Sequence, residues 1–136
     1  MDFLKSIAIA ASGLRAQAGR MRVIAENIAN ADSTAPSQGA EPYRRKIATF
    51  RAEVDRVLGA RLVRLGRLRT DPSEFRLKYE PGHPAADANG NVKYPNVNAL
   101  VEMTDMREAQ RSYEANINVI TASRRMIQRT IEILKS

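Results

Sequence analysis

Leu4, Ile7, Ala11, Leu14, Ala18, Met21, Ala25 and Ile28 recur along the N-terminal stretch at alternating steps of three and four. That spacing places them on one stripe of a helix and predicts a heptad seam over residues 3–31. One seam position holds mostly alanine, so the stripe buries little area by itself. Gly13 and Gly19 each weaken the helix by about 1 kcal/mol relative to alanine and offer places for close helix contact. The pattern stops at "NADST": Asn30, Asp32, Ser33 and Thr34 favour local turns over continued helix, and Pro36 follows.

The same spacing returns from Ala99 onward, through Met103, Met106, Gln110, Tyr113, Ile117, Ile120, Arg124, Ile127, Ile131 and Leu134. Asn98 is placed to cap this second helix by accepting from first-turn N–H groups. At about 1.5 Å per residue it spans on the order of 55 Å, more than a 30-residue partner and a small middle can cover. Part of its stripe calls for other chains.

All six prolines fall between residues 32 and 98, and the two flanks have none. Since proline in a helix interior costs about 3 kcal/mol, the chain reads as helix, irregular or β insert, helix. "EFRLKYEP" alternates, with Phe75, Leu77 and Tyr79 on one face and Glu74, Arg76, Lys78 and Glu80 on the other, as a half-buried strand does. "DANGNVKYP" carries Asn89-Gly90, a hairpin turn signal. "RLVRLGRLR" alternates in part, and "PYRRKIATFRAEVDRV" fits a strand or a strand followed by a helical turn. The fold class expected is α+β: an N-terminal helix (1–31), a loop and small β-rich insert (32–97) and a C-terminal helix (98–136), with the helices packing as a coiled-coil-like layer.

Composition then removes chemistry. There is no cysteine, and the single histidine, His83, sits in a Gly-Pro turn as a solvated loop residue. No Cys/His cluster, Ser-His-Asp arrangement or phosphate-binding glycine loop is present, so no catalytic, metal or cofactor-binding residue is expected. No apolar run reaches the roughly 20 residues of a membrane span, and the start lacks the basic region of a secretory signal. The net charge is +7, and nine basic residues lie between 44 and 69 against two acidic ones. Such a stretch suits an acidic neighbouring subunit or an anionic polymer; a basic helical module binding nucleic acid or cell-wall polymer is the alternative.

"ASGLRAQAGRMRVIAENIANADST" followed by "EPYRRKIATF", and "YPNVNALVEMTDMREAQRSYEANINVITASRRMIQRTIEIL", resemble the N- and C-terminal signatures of bacterial flagellar basal-body rod proteins, closest to the proximal rod. The resemblance implies a non-enzymatic structural subunit whose terminal helices form an inner tube transmitting torque from motor to hook. It implies export through the flagellar type III apparatus without a cleavable signal, and a place in the periplasmic rod beside copies of itself and other rod subunits. Peptidoglycan is a further candidate contact for the basic segment 44–69; nucleic acid is not expected. It marks Leu14, Met21, Ile24, Asn27, Ile28 and Asn30, with Tyr94, Pro95, Asn96, Asn98, Met103, Tyr113 and Asn116, as assembly residues. Leu4, Ile7, Met106, Ile117, Ile120, Ile127, Ile131 and Leu134 join them from the heptad stripes.

Overall fold

The computed structural model describes residues 2–136. Among them, two long helices flank six short strands in chain order: α1 (Phe3–Ala29), β1 (Lys46–Ile47), β2 (Phe50–Asp55), β3 (Ala60–Leu65), β4 (Arg69–Thr70), β5 (Arg76–Tyr79), β6 (Asn91–Tyr94) and α2 (Ala99–Lys135). The α+β expectation holds, and both helices lie where the periodicity placed them. Asp2 opens α1 by accepting at Oδ1 from the Lys5 N–H at 3.1 Å. The helix ends at the "NADST" turn, where Asn30 Nδ2 donates to the Glu26 carbonyl at 2.9 Å and Ser33 Oγ donates to Asn30 Oδ1 at 3.0 Å. Asn98 caps α2 as expected, its Oδ1 accepting from the Leu100 N–H at 3.0 Å.

The insert resolves into three antiparallel two-stranded pairs, β1–β4, β2–β3 and β5–β6. The stretch left open between strand and helical turn is strand, forming β1 and β2. By contacts the chain forms two compact units, each containing a segment of both helices. The first comprises Met1–Met21, Ala48–Arg67 and Arg107–Ser136; the second comprises Arg22–Ile47 and Leu68–Met106.

Small residues line the interior of the first unit: Ala10, Ser12, Ala16, Ala60, Ala109 and Ser123 are buried, with Leu62. β3 runs beside α1, and Ser12 joins them. Its hydroxyl donates to the Ile9 carbonyl at 2.7 Å and accepts the Val63 N–H at 3.2 Å, closing one backbone donor on that edge of the hairpin. A Cβ on Gly19 would stand 2.9 Å from Leu65 Cδ2, so the glycine lets the hairpin approach. β2 is the outer strand, and Phe50 through Val54 are exposed.

The second unit closes around Val92, Pro95 and Val97. Here one expectation is overturned. The Phe75/Leu77/Tyr79 face of β5 does not enter the core: Leu77 is 64% and Tyr79 71% exposed. The charged face is not buried either: Arg76 and Lys78 are exposed, the register setting Arg76 opposite Tyr94 and Lys78 opposite the buried Val92. Both cations lie over the Tyr94 ring, at 5.9 and 5.5 Å, while Arg76 donates to the carbonyls of Pro95 and Ala31. Asn89-Gly90 lies in a turn, with Gly90 at φ +81° and Asp87 Oδ1 accepting from the Asn89 and Asn91 N–H groups, but that turn ends the longer connection 80–90 between β5 and β6 and is not the tight hairpin expected. His83 is half-buried rather than freely solvated. Its Nδ1 accepts from the Ala85 N–H at 3.0 Å and its Nε2 lies 3.3 Å from Thr34 Oγ1.

Replacing Ser12 by alanine leaves the Val63 N–H without its acceptor. The expected loss is about 1 kcal/mol of unfolding free energy, read from urea melts; an unchanged midpoint would show that the Ser12 bond does not anchor the hairpin.

Candidate assembly site

The signature residues of both flanks meet in the second unit. Asn27, 1% exposed, points its carboxamide at the backbone of Lys46. Its Nδ2 donates to the Lys46 carbonyl at 2.8 Å and its Oδ1 accepts the Lys46 N–H at 3.0 Å, so it serves β1 as a neighbouring strand would. The same Oδ1 accepts from the Tyr43 hydroxyl at 2.7 Å, and Nδ2 also reaches Glu102 Oε2 at 3.3 Å. Glu102, in the first turn of α2, is fully buried. It accepts from Arg45 Nε in a short charge-assisted contact. The Arg45 guanidinium also meets Asp71 at 3.2 Å and Asp105 at 3.6 Å, and its backbone N–H donates to Asn96 Oδ1 at 2.8 Å. Asn96 Nδ2 in turn donates to the Asp71 and Ser73 carbonyls. Arg44 donates to those same carbonyls and lies 4.1 Å above the Phe75 ring, and Lys46 pairs with Glu26 at 2.6 Å.

The electrostatics follow. Burial disfavours the Arg45 charge, but the hydrogen bonds and charges of Glu102 and Asp71 outweigh it and raise its pKa. Asp71 is held below its ordinary value, first by hydrogen bonds from Ser73 and then by Arg45. Burial, helped by Glu26 and Glu102, pushes the Tyr43 hydroxyl up to about 12.

In the first unit α1 and α2 lie side by side in opposite directions, for Gly13 faces Asn116 and Arg20 pairs with Glu108 at 3.4 Å. A Cβ on Gly13 would come within 2.8 Å of Asn116 Nδ2. The buried positions of α2 fall at a seven-residue spacing: Glu102, Ala109 and Ser123, with Asn116 half-buried in the same row. This row precedes the Met103/Gln110/Ile117/Arg124 row by one residue, a rotation of about 100° around the helix. On α1 the contact residues Gly13, Arg20 and Asn27 precede Leu14, Met21 and Ile28 by one residue in the same way. Contacts within the chain therefore use small and polar positions, which allow close approach. The large apolar rows lie beside them.

Consequently the marked residues divide three ways. Ile24, Asn27 and Pro95 are buried. Ile7, Leu14, Met21, Ile28, Asn30, Tyr94, Asn96, Met106, Tyr113, Asn116, Ile120 and Ile127 are half-buried. Leu4, Asn98, Met103, Ile117, Ile131 and Leu134 are exposed, Leu134 at 80%. Asn27 and Asn96 converge on one cluster; the heptad residues run along the helices. Tyr43, Asp71 and Glu102 escaped the sequence reading as site residues. Glu102 looks like an ordinary first-turn acid complementing the helix dipole, and only the adjacent Arg44-Arg45 pair hinted at a buried counter-charge.

The geometry is that of a helical scaffold with no catalytic constellation among the described residues. A family described as flagella basal body rod protein matches residues 7–35, and the flagellar basal body rod FlgEFG protein C-terminal family matches residues 88–133. The class is thus the flagellar basal-body rod proteins, which are structural and not enzymes. A flagellar basal-body rod protein FlgC from Agrobacterium fabrum is 53% identical over 128 residues, covering 94% of this chain and 92% of its own. Those of Salmonella typhimurium, at 39% over 98% of both chains, and Bacillus subtilis, at 35% over 99% of this chain and all of its own, agree. The chain belongs to the FlgC family of basal-body rod proteins.

Glu102→Ala removes one of the three carboxylates around Arg45 and the partner of one Asn27 donor, and is expected to lose about 2 kcal/mol of stability in urea melts. Two pH dependences accompany the cluster. Asp71 titrates lower in the folded chain, so its contribution is complete above about pH 4 and lost as pH falls through the lowered value. Tyr43 titrates higher, so its contribution is complete below about pH 10 and lost as pH rises toward about 12. Thermal melts of Tyr43→Phe across pH 9–11.5 should fall less steeply than the parent's; parallel slopes would refute the assignment.

Proposed function

We propose that this rod subunit polymerises through its terminal helices, residues 1–31 and 98–136, which form the inner assembly layer, with 32–97 as an outer domain. The observation that carries the reading is the large apolar row left uncovered on continuous helices: Leu4, Met103, Ile117, Ile131 and Leu134 are exposed, while contacts within the chain use Gly13, Ala109 and Asn116. Rows of this kind on two helices bury area only against neighbouring subunits, and a heterologous arrangement of such contacts that does not close produces a helical tube. Helices packed along their length against several neighbours resist twisting, as the torque-transmitting shaft of motor and hook requires. The neighbours are copies of this chain and other rod subunits. Delivery to the periplasm runs through the flagellar export apparatus. Of the basic segment 44–69, Arg44, Arg45 and Lys46 are engaged inside the second unit, so peptidoglycan would meet the hairpin cations Arg56, Arg61 and Arg67. No helix among the described residues is long and apolar enough to cross a membrane.

The double change Ile131→Ser/Leu134→Ser alters two exposed side chains at the end of α2. It should leave the monomer's melting temperature unchanged within error and cut incorporation into isolated basal bodies at least tenfold. Normal incorporation at parental levels would remove the apolar row as the assembly surface.

A further inference from the structure

Two strand edges are left open. In the β2–β3 hairpin the Gly66 N–H donates to the Thr49 carbonyl, so by alternation Arg51, Glu53 and Asp55 turn their backbone groups toward β3. The N–H and C=O groups of Phe50, Ala52 and Val54 therefore point away from it, along the outer edge. In the β5–β6 pair the Glu80 N–H donates to the Gly90 carbonyl, so Arg76 and Lys78 turn toward β6 while Leu77 and Tyr79 point outward. Neither edge pairs with a further strand, and these outward groups have no hydrogen-bond partner among the described residues. An open edge of this kind is a template for another strand. Each strand is also bare on its apolar face, where Val54, Leu77 and Tyr79 are all more than half exposed.

We propose that β2 of one copy pairs antiparallel with β5 of a second copy, Ala52 opposite Tyr79 and Val54 opposite Leu77, joining the two strand pairs into one sheet; this rests on the rod-subunit reading above. In this register the free backbone groups of Ala52 and Val54 meet those of Tyr79 and Leu77. Directly opposite side chains share a face, so the exposed apolar face of β2 continues into that of β5. On the other face Glu53 stands opposite Lys78, Asp55 opposite Arg76 and Arg51 opposite Glu80. Glu53 already meets Arg64 at 2.6 Å and Glu80 meets Lys78 at 3.3 Å within one copy. The new pairs add to these, since a carboxylate accepts from more than one donor. Sliding the strands by two residues either way keeps the edges matched but sets Arg51 opposite Lys78, or Glu53 opposite Glu80. Two β5 edges meeting about Leu77 would oppose Arg76 to Lys78. Two β2 edges meeting about Ala52 match in charge, but that contact is two-fold and closes on itself. Contact between different edges is head-to-tail and propagates, as a polymerising subunit requires.

The chain has no cysteine, so single introduced cysteines report the register. Glu53 and Lys78 would form a pair without mutual backbone bonds, with Cα atoms about 4.5 Å apart and within disulfide range. Full-length Glu53→Cys and Lys78→Cys chains are produced together in cells lacking this protein, and isolated basal bodies are oxidised. A mixed disulfide dimer should form at least tenfold above the level given by either variant alone. Glu53→Cys with Arg76→Cys, two residues out of register, should stay near background. Ala52→Pro deletes an outward N–H that the hairpin does not use. It should leave the circular dichroism of the free chain unchanged and lower the Glu53–Lys78 cross-link at least tenfold when built into the Glu53→Cys chain. Absence of the mixed dimer, with the parental chain present in basal bodies, overturns the proposal. So does an Ala52→Pro chain that keeps the cross-link, and so does Ala52→Cys linking to itself, which would assign the edge to a two-fold β2 pair. Failure of the rod-subunit reading would show differently, as parental chain absent from basal bodies.

Discussion

The Arg45–Glu102 pair with Asn27 is the constraint on which the second unit depends. Glu102 is wholly excluded from water, and an isolated carboxylate there would cost several kcal/mol. It is tolerated because Arg45 and Asn27 satisfy it, and each of those is fixed by further partners. Arg45 is anchored through its own backbone to Asn96, and Asn27 is anchored to both polar groups of Lys46. Four segments distant in the chain, the end of α1, β1, the turn at Asp71 and the start of α2, therefore have one mutually consistent arrangement. A purely apolar centre of the same size would hold them with less directional specificity, since dispersion and area do not prescribe an angle.

The first unit solves a different problem with small residues. Ser12, Ala16 and Gly19 let the hairpin lie close to α1, and Gly13 lets Asn116 of α2 approach. Close approach through small side chains buries modest area, and Met103, Ile117, Ile131 and Leu134 of α2 stay exposed. The row that packs within the chain and the heptad row beside it are separated by about 100° around the helix. The arrangement explains how a protein with so few fully buried large side chains can still present extended, regular helices.

Charge follows the same division of labour. Two cations of the "PYRRK" segment, Arg45 and Lys46, are neutralised locally by Glu26, Asp71, Glu102 and Asp105, while Arg44 donates to the Asp71 and Ser73 carbonyls. Those of the hairpin and of the later part of α2 face outward with few partners, so the net +7 is a property of one unit's surface and not of the chain as a whole. The nucleic-acid reading is weakened here, because Arg45 and Lys46, two of the nine basic residues that suggested it, are paired with carboxylates within the chain.

How much was legible in the sequence varies by element. The two helices, their Asn98 and "NADST" boundaries and the Asn89-Gly90 turn could be read because they depend on local rules: 3.6-residue periodicity, capping and positive φ. β5 was misread because strand alternation tells which residues share a face but not whether either face is covered; all four residues of β5 are exposed, its cations lying over the Tyr94 ring. The heptad stripes were correctly found yet offset by one residue from the intrachain contact. Hydrophobic periodicity marks the stripe that gains most from burial, whereas the row that packs within the chain is chosen by how closely two backbones can approach. Glu102 and Tyr43 were invisible for a related reason, since the partners that identify them, Arg45 and Asn27, lie 57 and 16 residues away. Local order was thus written in the chain's own pattern. Which faces turn inward, and which charges are neutralised there, was decided by long-range contacts that no single segment encodes.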